Sequence, residues 1–110
     1  MPLFMYQAAY TAESWAAQVK NPVDRIETVA RPACETVGGK LVGGWLSMGE
    51  YDLVVIADVP NIESMAGIAM AVAAGGAAKV GKTTPLMTGA QGVEALKKAS
   101  EVGQTYKPAL

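Results

Sequence analysis

Two stretches of the chain carry residues that could do chemistry. The first, GAAKVGKT at Gly76–Thr83, matches the phosphate-cradle pattern G-x-x-x-x-G-K-[ST] at every fixed position. Such a cradle works only with a strand before the glycines and a helix after the lysine, because the helix N-terminus faces the phosphate. The second, GEYDLVVIAD at Gly49–Asp58, sets Glu50 and Asp52 two residues apart, with Tyr51 between them, at the entrance of an apolar segment. On a strand both carboxylates would share one face. Two close carboxylates can take different pKa values and act as acid and base. The plainer reading places Glu50 in a turn, with both carboxylates solvated or bonded to nearby backbone.

What the chain lacks narrows the chemistry further. It has no histidine, the commonest metal ligand and general base. A zinc site or a histidine-ligated haem is not expected, and neither is any other metal or cofactor. The single cysteine, Cys34, cannot form an intrachain disulfide. It lies near the apolar stripe of a helix and reads as a buried, inert thiol. Nine basic and ten acidic residues give a net charge of −1 with no basic stripe, so nucleic acid is not an expected partner. The first residues, MPLFMYQAAY, lack a basic start and do not read as a signal peptide. The most apolar helical stretch, 62–74, is too short to cross a membrane. A soluble cytoplasmic protein without membrane contact is the expectation.

The elements that must hold these residues follow from periodicity. Leu3–Tyr10 reads as a strand. Thr11 caps a short turn through Glu13, Ser14 and Trp15. Asn21–Pro22 starts a helix in which Val23, Ile26, Ala30, Ala33 and Val37 recur at helical spacing. Pro32 should kink or split it, and Gly38–Gly39 should end it. Lys40–Met48 and Tyr51–Val59 read as strands, Asn61 caps a helix that Gly75–Gly76 closes, and Ala78–Met87 reads as a last strand. Val93–Lys98 forms a short helix. The domain is expected over 1–98, with 99–110 a tail.

The order β-α-β-β-α-β is that of a ferredoxin-like α+β fold, one antiparallel four-stranded sheet with its helices on one face. Leu53, Val55 and Ala57 then point one way and Val54 and Ile56 the other, so both faces of the third strand are apolar. A lone chain would leave one of these rows bare. The expectation is a homodimer through the sheet face, with higher assembly open. In this order GAAKVGKT follows a helix and enters a strand, the reverse of a phosphate cradle. Nucleotide binding there is the weakest of the readings.

Gly49-Glu50-Tyr51-Asp52 sits between RPACETVGGKLVGGWLSMGEYDLVVIADVP and AVAAGGAAKVGKTTPLMT. Together these blocks resemble the GYD family of small bacterial and archaeal proteins, over roughly residues 3–98. The resemblance implies a dimeric α/β barrel, two ferredoxin-like protomers packed sheet to sheet. The wider superfamily includes cofactor-free monooxygenases, isomerases, haem-handling enzymes and ligand sensors. The family itself is largely uncharacterised, so the resemblance implies a fold more than a reaction.

The first functional expectation is a ligand-binding or regulatory module with a pocket between sheet and helices. Its candidate ligand-binding residues are Tyr6, Trp15, Arg25, Trp45, Lys82 and Thr83. The plainer reading of the aromatics is core or dimer interface, and of Arg25 a surface ion pair with Glu27 or Glu35. The alternative is a cofactor-independent enzyme using Glu50, Tyr51 and Asp52.

Overall fold

A computed structural model describes residues 2–110. The chain runs β1 (Leu3–Tyr10), α1 (Ala12–Lys20), a π turn (Ile26–Ala30), α2 (Arg31–Thr36), β2 (Lys40–Leu46), β3 (Leu53–Asp58), α3 (Ile62–Gly75), β4 (Ala78–Leu86) and α4 (Gly89–Gly103). The strands form one sheet in the order β2-β3-β1-β4, every neighbouring pair antiparallel. This is the ferredoxin-like arrangement. β1 is central and pairs along both edges, with Tyr6 opposite Val55 on one side and Thr83 on the other.

Alternation along the strands divides the sheet into two faces. Phe4, Tyr6, Ala8, Val55 and Ala57 face the helices and are buried together with Cys34, Leu41, Val59 and Met65. Met5, Gln7, Val54 and Ile56 alternate with them and face the other way, in register with Lys82, Thr84 and Trp45. No helix packs broadly on that second face among the described residues.

The helices begin where short polar side chains meet their free N–H groups. Thr11 accepts from Ser14 N–H and Asn61 from Ser64 N–H, at 3.0 and 2.9 Å. Asp24, rather than Asn21, serves the π turn: its Oδ1 accepts from Ile26 and Glu27 N–H. Residues 21–24 are outside any helix. Pro32 does split the predicted long helix. It has no N–H to donate, and the turn before it widens to π geometry, with Arg31 N–H reaching Ile26 C=O.

Other boundaries also differ from those predicted. α1 is a full helix, not a single turn. β3 begins at Leu53, so Glu50, Tyr51 and Asp52 lie in the loop before it. α4 is fifteen residues long and runs through the boundary expected at 98. Thr88 and Gln91 form a reciprocal capping box that starts it early, so Gly89 and Gly92 are carried inside the helix. Glu94, Lys97, Lys98 and Glu101 share one side of α4 and Leu96, Ala99 and Val102 the other. The helix stands off the body: the radius of gyration is 17.3 Å, against about 13 Å for a compact chain of this length.

Met65 is the largest fully buried side chain and joins α3 to the sheet. Met65→Ala is expected to cost about 2–5 kcal/mol of folding stability, read by urea denaturation.

Candidate functional site

The space between helices and sheet is not filled. Leu53, Val55 and Ala57 of β3, Tyr6, Ala8 and Tyr10 of β1, and residues of the π turn, α2 and α3 enclose a cavity of about 380 Å³. Its helical walls are rich in alanine, including Ala30, Ala33 and Ala71, which reach too little volume to close it. The floor follows from strand alternation: Tyr6, Ala8 and Tyr10 are successive inward residues of β1.

Few lining residues carry a polar group: Tyr6, Tyr10, Cys34 and Arg25. Burial raises the Tyr6 phenol above its ordinary 10.0, with a further contribution from neighbouring Tyr10. Burial likewise raises the Cys34 thiol above its ordinary 9.0, against a smaller opposing pull from Arg31. Both groups are held neutral.

A broader groove of about 600 Å³ runs outside the cavity, along α1 and the residues that follow it. Arg25, Gly75 and Ala77 line both spaces and mark where they meet. Arg25 is half-buried here. The surface pair expected for it does not form. Glu27 bonds Arg31 one helical turn on, at 2.7 and 3.1 Å, and no carboxylate within ion-pair distance serves Arg25 among the described residues.

The other predicted residues scatter. Trp15 packs edge-to-face on Tyr10, ring centres 5.3 Å apart, outside the cavity lining. Trp45 lies on the open sheet face, 59% exposed. Lys82 is opposite Gln7 and Thr83 opposite Tyr6, so the two neighbours point to opposite faces. The Gly76–Thr83 stretch is not folded as a phosphate cradle. Gly76 closes α3 in the left-handed region (φ 76°), and Lys82 and Thr83 sit inside β4 with no helix starting at them. Gly81 has a different neighbour: a Cβ there would stand 2.9 Å from the Tyr6 hydroxyl, so a side chain would make Tyr6 shift.

Gly49–Asp52 belongs to the loop joining β2 to β3. Ser47 N–H donates to Asp52 C=O at 2.9 Å and the Ser47 hydroxyl to Tyr51 C=O at 2.7 Å, closing the loop. The Asp52 carboxylate accepts from Tyr10 N–H at 2.9 Å, just past the last β1–β3 ladder pair. Glu50 is exposed. None of the three lines the cavity, and no group of three or more acidic or cysteine residues that could hold a metal occurs among the described residues.

Of the candidates named from the sequence, Tyr6 and Arg25 line the cavity; the alanines that line it were not among them. Their signal was a deficit of volume on helix faces that should be packing a core, and it becomes visible only when the facing strand is known.

Fold and site define a small α+β protein with a partly open apolar cavity between one sheet and its helices. The GYD domain model matches residues 4–96, and the chain belongs to that family. No curated protein and no solved structure matches the chain. No helix among the described residues is long and apolar enough to cross a membrane.

Because Tyr6 and Cys34 bind their protons more tightly folded than unfolded, stability is full below the ordinary thiol value of 9.0 and falls as pH rises through it and past 10.0. Cys34→Ala is expected to flatten the first part of that fall, read as ΔG of unfolding between pH 8 and 11.

Proposed function

We propose that this protein is a ligand-binding module whose helix–sheet cavity takes a small, largely apolar molecule. The observation that carries the reading is the cavity itself. Its volume lies within the range of about 300–1,000 Å³ usual for small-molecule sites, and its lining is apolar with a few inward polar groups. The carboxylates that an acid–base enzyme would need are turned elsewhere, one of them onto the Tyr10 backbone.

The test is thermal shift with n-butylbenzene, a neutral apolar probe. The wild-type chain is expected to melt higher in its presence, as any binding to the folded state alone requires. Ala33→Phe fills the chamber and is expected to abolish the shift. A wild-type melting temperature unmoved at probe saturation overturns the reading.

The working unit in this proposal is a homodimer through the open sheet face. Met5, Val54, Ile56 and the exposed Trp45 supply an apolar row there, with no helix packed broadly against it among the described residues. Light scattering at micromolar concentration is expected to give twice the 11.4 kDa chain mass. Ile56→Lys, on that face, is expected to return the monomer.

A further inference from the structure

We propose that the cavity selects a small apolar carboxylate, with the acid group on Arg25 and the apolar body inside the chamber. The proposal rests on the ligand-binding reading above and names the chemistry of its ligand. Arg25 is the one charged residue that lines the cavity among the described residues. It stands where the chamber opens into the outer groove, so a molecule entering body-first leaves its head at the guanidinium.

Arg25 is half-buried as a residue, lines an apolar cavity and has no carboxylate within ion-pair distance among the described residues. A cation beside apolar walls without a counter-charge is a ready partner for a bound anion. Arginine offers parallel N–H donors that match a carboxylate with two bonds at once. The chamber repels nothing in return, since no acidic side chain lines it. Glu13 lines the outer groove together with Arg25 but not the cavity. The rest of the lining holds no other cation and no carboxylate, which suits an uncharged body.

The test compares acids with their amides, which keep the shape and lose the charge. Titration calorimetry would use 4-phenylbutyrate and 4-phenylbutyramide, with n-butylbenzene as the neutral reference. The wild-type chain is expected to bind the acid at least about 10-fold tighter than the amide, and Arg25→Gln to remove that preference by weakening the acid alone. Arg25→Lys keeps the charge without the planar fork and is expected to fall between them. Acid binding should also weaken from 50 to 500 mM salt while amide binding holds, a readout that needs no variant to fold. Equal affinity for acid and amide, or a preference that survives Arg25→Gln, overturns the proposal while leaving the cavity reading in place. Binding of none of the three probes overturns both.

Discussion

Everything in this fold depends on β1 being paired along both edges. Eight residues serve three neighbours: β3 on one side, β4 on the other and the helix layer on alternate side chains. That double pairing satisfies the backbone of the most buried strand. It also sets the register by which Val55 and Thr83 come to flank Tyr6. A slip of one residue would move Tyr6, Ala8 and Tyr10 to the open face and bring Met5 and Gln7 inward. Asp52 extends this control past the ladder by accepting from Tyr10 N–H. Its carboxylate supports the floor of the chamber from below, without entering it.

The cavity is then a consequence of what the helices bring to that floor. Met65, Cys34 and Val59 set the separation of the layers where they pack. Farther along, the facing positions are alanine, and helices already held apart cannot settle onto them. A core that packs to normal density would place larger side chains there. The same alanines that raise helix propensity thus leave room for a guest. Arg25 lines both the cavity and the outer groove, directly before the π turn.

Much of the architecture was legible in the sequence. The order of elements followed from two periodicities and from Asn61, Gly38–Gly39 and Gly75–Gly76 at helix ends, and Pro32 marked its break correctly. Apolar residues on both faces of β3 were visible as an unbroken run. The misreadings were local contests between signals. Asn21–Pro22 looked like a helix start, yet Asp24 won the capping bonds. Gly89 and Gly92 looked like breakers, yet the Thr88–Gln91 box outweighed them. Tyr51 and Asp52 looked like strand, yet Ser47 closes the loop over them.

The sequence by itself determined which residues alternate, which helices could form, and that GAAKVGKT follows a helix and enters a strand. Those are properties of neighbours along the chain, set by backbone sterics and side-chain period. Only the tertiary structure decided which small residues face one another across a gap, that Arg25 lines it, and that Asp52 holds a strand end. Unfilled volume and long-range hydrogen bonds belong to groups far apart in sequence, and no local pattern records whether they meet.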